Sequence, residues 1–274
     1  MFKYMKYEIK GTYRYILGVL ILVFILTIAL YNTTKNTFFN SIANNFFVIL
    51  SIMILFGTAL ATFLYIVGSF RKELYEDRGY LTFTLPLTGN QIVGSKLIVA
   101  LLWLVVILIS IMIFNLIAVL IYVPHVKFSE LLDGILNVEV IKRAVLAFFM
   151  SILNMVQMLV TIYFSMALGR VTFRNKKIGG LWFIIFLILS WLISYGQIKV
   201  MELLPYHIDL SGLGIGQNRD SIIYEMNMNS DMFFSLSLNL DTLITNIAGF
   251  IYDILVTIGL FLGTSYLVEK KIDL

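Results

Sequence analysis

The chain has 274 residues, of which 60% are hydrophobic and 13% are charged. Soluble domains are typically about 45–50% apolar and about 25% charged, so this composition excludes an ordinary soluble enzyme. It also excludes a disordered chain, because such chains are poor in apolar residues. Cysteine is absent and there are two histidines, which excludes disulfides and thiol catalysis and argues against a histidine-rich metal site. The net charge of +4 requires no nucleic-acid partner, since the cytoplasmic loops of membrane proteins are normally basic.

The N-terminal segment, residues 2–14, predicts a basic amphipathic helix. On a helical wheel, Phe2, Met5, Ile9 and Tyr13 share one face, and basic residues lie beside it. This pattern suits a helix that lies in the cytoplasmic interface of a membrane. The alternative is that the segment is only the charged flank of the first span, which we expect to remain uncleaved.

The rest of the chain predicts an all-α membrane protein, with a single transmembrane domain over residues 1–274. Crossing the hydrocarbon core takes about 20 mostly apolar residues in a helix, and lipid offers no water to unpaired backbone groups. Six stretches qualify: 15–31, 46–70, 97–123, 144–168, 178–198 and 247–268. A long segment, residues 199–245, separates the last two.

The distribution of basic residues predicts the orientation. The N-terminus, the loops after spans two and four, and the C-terminus together contain fourteen Lys and Arg residues, whereas the remaining loops contain six. Cytoplasmic loops carry the basic excess. We therefore expect a multi-pass protein of the cell membrane with both termini in the cytoplasm and residues 199–245 outside.

The cytoplasmic loop between spans two and three predicts ordered structure. Charges of both signs from Arg71 to Arg78 indicate that span two continues into water as a helix, which Gly79 can end. Pro86 breaks the next segment, and Thr88 and Gln91 have the spacing of a capping box at the start of span three. We therefore expect this loop to be ordered, with structure on a small scale.

The same loop is apolar where a solvated loop is normally polar. Its apolar side chains predict either a surface for a partner or a layer that packs beneath the helices, and the residues alone do not choose between these two. The residues concerned are Tyr80, Leu81, Phe83, Leu85 and Leu87.

The loop resembles the cytoplasmic loop of ABC-2 type transporter permeases. The likeness rests on Gly79 to Thr88, Gln91 to Val93 and Ser95 to Leu97, which follow a Leu-Pro-small-Ser/Thr turn and then an apolar helix start with a lysine. The N-terminal amphipathic segment, the six spans and the long outer segment extend the resemblance over the whole chain in outline.

The resemblance implies a permease subunit, mostly of exporters, in which a coupling helix in this cytoplasmic loop between spans two and three docks on a separate ATP-binding subunit. ATP and Mg would be held by that subunit, and a second permease chain, identical or related, would complete the transporter. The docking surface that it implies has a polar rim of Arg71, Glu73, Glu76, Asp77 and Arg78. Its centre comprises Tyr80, Leu81, Phe83, Leu85, Pro86 and Leu87.

The chain itself lacks the motif of an ATPase. No G-x-x-x-x-G-K-S/T sequence occurs in it, and that motif is what cradles phosphates in P-loop enzymes. The glycines at 212, 214 and 216 lack the following lysine and predict a flexible outer loop instead. We therefore expect no enzymatic activity, no catalytic residues and no directly bound cofactor or metal.

A few polar side chains lie within the predicted spans. Asp253 is the clearest, because a charged Asp at mid-helix costs roughly 2.5–3.5 kcal/mol on insertion scales. Asn115, Asn154 and Gln157 are further candidates. Each can line a substrate path or simply fix helix packing by hydrogen bonds.

Three other functions compete with a permease. An ion-coupled carrier normally has more buried charge and paired, interrupted helices. A membrane sensor or scaffold without transport is the second alternative. An intramembrane enzyme is the least favoured, since both histidines lie outside the spans and Asp253 has no second carboxylate beside it in the predicted span.

Overall fold

The computed structural model describes residues 1–35, 41–75, 87–122, 138–172, 180–209, 214–217 and 244–271. Within these ranges there are six helices: α1 (Phe2–Lys35), α2 (Ser41–Tyr75), α3 (Gly89–Tyr122), α4 (Val138–Thr172), α5 (Leu181–Leu203) and α6 (Ile247–Lys270). The described residues between α5 and α6 form three short strands: β1 (Tyr206–Asp209), β2 (Gly214–Gln217) and β3 (Ile244–Asn246).

All six helices are long and apolar enough to cross a membrane, which confirms the predicted six spans. Several helices extend beyond the predicted bounds. For example, α3 has 34 residues and a length of about 50 Å at 1.5 Å per residue, whereas the hydrocarbon core is about 30 Å thick. Hydropathy identifies only the apolar middle of a helix. The helix continues beyond it at both ends, because the polar side chains there can lie in water.

The N-terminal segment is helical, as predicted, but it is continuous with the first span. Helix α1 runs unbroken from Phe2 to Lys35, so residues 2–14 do not form a separate interface helix. No proline interrupts this stretch, and Gly11 within it lowers helix stability by only about 1 kcal/mol relative to alanine. Whether residues 2–14 contact a membrane surface stays a prediction.

The chain divides into two compact units, Met1–Ile135 and Leu136–Asp273. The prediction of a single domain over residues 1–274 stays a prediction. The first unit contains α1, α2 and α3, with α1 packed against both of the others. Its buried side chains include Ile16, Val67, Phe70 and Val93.

Aromatic contacts fix the register of α1 along its neighbours. Tyr15 stacks on Tyr65 of α2, with ring centroids 3.8 Å apart. Further along the helix, Phe24 meets Phe114 of α3 at 4.9 Å. Such aromatic pairs contribute roughly 0.5–1.5 kcal/mol beyond the area they bury.

In the second unit, α4 packs against both α5 and α6. The core lies on α4, where Leu159, Val160, Tyr163 and Met166 are almost fully buried. None of the α5 residues is buried within this unit as described. A helix that is hydrophobic all round and still exposed is typical of a membrane environment.

The strands form a small antiparallel sheet in the order β2-β1-β3. Tyr206 pairs with Gln217, and His207 pairs with both Gly216 and Asn246. The predicted all-α class omits this sheet, and the prediction of a flexible loop at 214 and 216 is wrong, because both glycines lie in β2. Residues 233–243, an apolar stretch within the predicted outer segment, lie outside the described residues.

Strand β3 leads directly into α6, and Asn246 is both the last residue of β3 and the N-cap of α6. Its side-chain oxygen accepts a hydrogen bond from the Gly249 backbone N–H at 2.9 Å. Its amide nitrogen donates to the Leu204 carbonyl oxygen at 3.1 Å. Asn246 thus caps α6 and ties its start to the segment that follows α5.

Candidate functional site

A cluster of polar side chains joins the three helices of the first unit. Lys96 of α3 lies 2.7 Å from Glu8 Oε2 of α1 and 2.8 Å from Glu73 Oε1 of α2, measured from its Nζ. The same ammonium donates to Ser69 Oγ at 2.9 Å. The Tyr4 hydroxyl donates to Glu73 Oε1 at 2.5 Å. We call these five residues the ion cluster.

The helical spacing of the sequence explains how the ion cluster forms. Tyr4 and Glu8 are four residues apart on α1, and Ser69 and Glu73 are four apart on α2. Residues at this spacing lie on the same face of a helix, one turn apart. Glu8, Ser69 and Glu73 therefore contact Lys96, and Tyr4 contacts Glu73.

The charges of the ion cluster are largely removed from water. The exposed fractions of the side chains are 4% for Lys96, 8% for Glu73 and 18% for Glu8. Taking a charge out of water costs several kcal/mol, which close pairing and hydrogen bonds can offset. The cluster is therefore stable only while its members stay together.

The ion cluster also contains residues on both sides of the predicted docking loop. Glu73 lies two residues before the end of α2 at Tyr75, and Lys96 lies two turns into α3. The two helices that flank residues 76–86 are thus held together, and α1 is held to both.

The structure corrects one predicted docking residue. Glu73 is buried in the ion cluster, so it does not belong to an exposed polar rim, because Lys96 and Tyr4 draw it inward. Arg71 is exposed, as a rim residue requires. Leu87 is half-buried just before α3. The other predicted docking residues lie outside the described residues: Glu76, Asp77, Arg78, Tyr80, Leu81, Phe83, Leu85 and Pro86.

The predicted capping box at the start of α3 is present in part. The Thr88 backbone N–H donates to Gln91 Oε1 at 3.3 Å. In a capping box, the Glu or Gln at position N3 makes this contact with the backbone of the N-cap residue. The backbone N–H of Ile92 donates to the Thr88 carbonyl at 3.1 Å and begins the helical ladder.

A second polar site lies in the other unit, around Asp253 of α6. Its two carboxylate oxygens accept hydrogen bonds from different helices. Gln157 Nε2 of α4 donates to Oδ1 at 3.2 Å, and Gln197 Nε2 of α5 donates to Oδ2 at 2.7 Å. Asp253 thus bridges three helices, which is the packing role that the sequence left open.

Asp253 also lines a cavity between α4 and α6 with a volume of about 210 Å³. The polar side chains in its wall are Asn154, Gln157, Asp253 and Thr257. The rest of the wall is apolar: Met150, Leu153, Val156, Phe250, Ile254 and Ile258. The structure therefore brings together three of the four predicted pathway residues.

The fourth predicted pathway residue, Asn115, lies in the first unit. Its amide nitrogen donates to the Ile111 carbonyl at 2.9 Å, and its oxygen accepts from the Tyr31 hydroxyl at 3.4 Å. The bond from Tyr31 connects α1 with α3, so Asn115 has a packing contact at this position.

Comparisons with protein-family models, curated proteins and solved structures give no match to this chain. Within the described ranges, no group of three or more potential metal ligands occurs.

Sequence reasoning did not identify Glu8, Tyr4 and Gln197 as members of these sites. One feature of the sequence distinguishes Glu8. It is the only acidic residue in α1, and it lies among basic residues. A lone acid in a basic apolar helix indicates a specific basic partner. The sequence does not indicate which lysine or arginine that partner is.

Proposed function

We propose that the chain is the transmembrane permease subunit of an ATP-driven ABC transporter of the ABC-2 type, working as an exporter. The six membrane-length helices and the Leu-Pro loop with its following lysine support this proposal. In it, the loop at 71–92 docks on a separate ATP-binding subunit, and a second permease chain, identical or related, completes the transporter.

The observation that carries the proposal is the ion cluster. A subunit that moves a loop can move the membrane helices only if the loop is connected firmly to them. Lys96 binds Glu73 at 2.8 Å and Glu8 at 2.7 Å, and so connects both flanks of residues 76–86 to α1. Because these charges are buried, separating them is costly, and a displacement of the loop is transmitted to three helices together.

The basic excess places the loop and both termini in the cytoplasm, where ATP is present. The exposed apolar side chains of α5, such as Ile188 and Trp191, can face lipid or a second permease chain. The chain contributes the path and the docking surface, and ATP hydrolysis belongs to the partner.

The test is to search the genes next to this one for an ATP-binding subunit and to reconstitute the chain with it. We expect the purified chain alone to hydrolyse no ATP and the two-subunit complex to do so. Phe83→Asp, which places a charge at the centre of the docking surface, should abolish co-purification. Leu203→Asp is the matched control, because Leu203 is 79% exposed at the predicted outer end of α5. Equal co-purification of both variants, or ATP turnover by the isolated chain, would contradict the proposal.

An ion-coupled carrier is the second candidate, and Asp253 favours it. Ionisable residues within spans mark ion and substrate paths in such carriers, and Asp253 lies beside a cavity. Transport in proteoliposomes separates the two: an imposed proton or sodium gradient drives a carrier without ATP, whereas the proposed permease requires the partner and ATP. A non-transporting sensor would show neither activity.

A further inference from the structure

The cavity between α4 and α6 presents a carboxylate to a mostly apolar space. Six of the ten residues that line it are apolar, and Asp253 supplies the only formal charge of this lining. Asn154 and Gln157 add amide groups, and Thr257 adds a hydroxyl group. The wall thus combines an apolar surface with a few fixed polar groups, which is the usual composition of a small-molecule site.

Two amide donors hold the Asp253 carboxylate in place. Gln157 of α4 and Gln197 of α5 donate to its two oxygens at 3.2 and 2.7 Å. Each oxygen has more than one acceptor position, so the group can also accept a bond from a ligand in the cavity.

We propose that this cavity binds a small lipophilic organic cation, such as an amine or a quaternary ammonium ion with an aromatic body. The positive charge faces Asp253, and the apolar body contacts side chains such as Leu153, Phe250 and Ile254. Such a ligand complements the charge of the wall, whereas an anion would face the carboxylate directly. An inorganic cation such as Ca²⁺ needs several oxygen ligands around it, which a mostly apolar wall does not offer.

The size of the cavity fits this class of ligand. A volume of about 210 Å³ corresponds to about seven water molecules at their share of liquid volume, which suits a single aromatic ring with an ammonium group. A site of this kind gives the proposed permease a class of cargo. The proposal rests on that proposed function only where it treats the bound cation as the transported molecule.

The test measures binding of radiolabelled benzyltrimethylammonium to the purified full-length chain in nanodiscs. Neopentylbenzene, which has the same shape without the charge, is the competitor. We expect saturable binding that the neutral compound does not displace. Asp253→Asn should weaken binding by at least about tenfold, because the quaternary ammonium ion has no N–H to donate and loses its Coulombic attraction to the carboxylate. Glu202→Gln removes an exposed acid of α5 that lies outside the cavity wall and should leave binding unchanged.

A second variant covers the case in which Asp253→Asn does not fold. Leu153→Phe leaves Asp253 and both glutamines in place but fills part of the cavity, and it should also weaken binding. Thermal unfolding and size-exclusion profiles confirm that each variant is folded. Equal affinity of the wild type and Leu153→Phe, or displacement by the neutral compound, would overturn the proposal. The assay contains no ATP-binding subunit, so its outcome is independent of whether such a partner exists.

Discussion

The Glu8 carboxylate of α1 lies 2.7 Å from the Lys96 ammonium of α3. This contact joins the N-terminal helix to the helix that follows the predicted docking loop. Lys96 simultaneously binds Glu73 at the end of α2. The basic N-terminal segment therefore has a structural role that its amphipathic pattern alone does not indicate, because it contributes the half-buried carboxylate of Glu8 to the ion cluster.

Replacing Lys96 with methionine should destabilise the chain strongly. The substitution keeps the volume roughly constant but leaves Glu8 and Glu73 buried side by side without their shared cation. Breaking a buried ion pair in this way typically costs about 3–5 kcal/mol. Thermal unfolding of the purified chain in detergent should show a clear fall in the midpoint relative to the wild type.

The matched control removes all three charges together. In the variant Glu8→Leu, Glu73→Leu, Lys96→Met no charge is buried alone, and replacing a whole buried cluster with apolar residues is often nearly neutral. We expect this variant to unfold near the wild-type temperature. If Lys96→Met were as stable as the wild type, the ion cluster would not be a buried, mutually dependent unit.

Tyr4→Phe should have a smaller effect of the same kind. It removes the hydroxyl that donates to Glu73 Oε1 at 2.5 Å, and a hydrogen bond to a charged group is worth about 1.5–3 kcal/mol. Tyr7→Phe is the control, because Tyr7 is 74% exposed one turn along the same helix. The two variants should differ in thermal unfolding midpoint, and equal midpoints would contradict a role for the Tyr4 hydroxyl.

The sequence predicts the six helices because each contains a long apolar run, and such runs are a local property of the chain. The ion cluster is different. Glu8, Glu73 and Lys96 lie on three helices, and any of several basic residues can pair with Glu8 as far as the sequence shows. The pairing depends on how α1 packs between its neighbours, which hydropathy does not encode.

The small sheet was missed for a related reason. Its strands have three or four residues each, and β2 contains two glycines, which are poor strand formers. Pairing with β1 stabilises β2, and that pairing is not local. Conversely, the polar spacing on α4 and α6 did indicate Asn154, Gln157 and Asp253, because residues one turn apart lie on one helix face. Gln197 on α5 carried no comparable signal.

Gly196→Ala should loosen the packing of α5 on α6. A Cβ at this position would collide with the hydroxyl group of Tyr252 and approach its Cζ to 3.0 Å, and such overpacking costs about 1–3 kcal/mol. Adding Tyr252→Phe removes the hydroxyl group and should restore part of the lost stability.

The control is Gly259→Ala, where an added Cβ has open space around it. Alanine is the better helix former, so this variant should be as stable as the wild type or slightly more stable. A loss at Gly259 equal to that at Gly196 would show that helix packing is not the cause.

The orientation can be tested directly because the chain has no cysteine. Single cysteines at Phe2 and Leu203, which are 83% and 79% exposed, should react differently with a membrane-impermeant maleimide. In intact cells we expect labelling of Leu203→Cys and not of Phe2→Cys. Permeabilised cells should label both. The reverse pattern would invert the predicted topology and place the docking loop outside the cell.

Asn246 should control the start of α6 and, through it, the position of Asp253 two turns further on. Asn246→Ala removes both the cap on the Gly249 N–H and the bond to the Leu204 carbonyl, and losing a cap alone costs about 0.5–2 kcal/mol. Asn246→Ser keeps an oxygen that can cap the helix but is too short to reach Leu204, so its loss should be smaller. Hydrogen exchange at Gly249 distinguishes the two contributions, because only the loss of the cap exposes that amide. If both variants exchange equally fast, the side-chain cap does not hold the first turn, and the hydrogen-bonded sheet at β3 fixes the start of α6 instead.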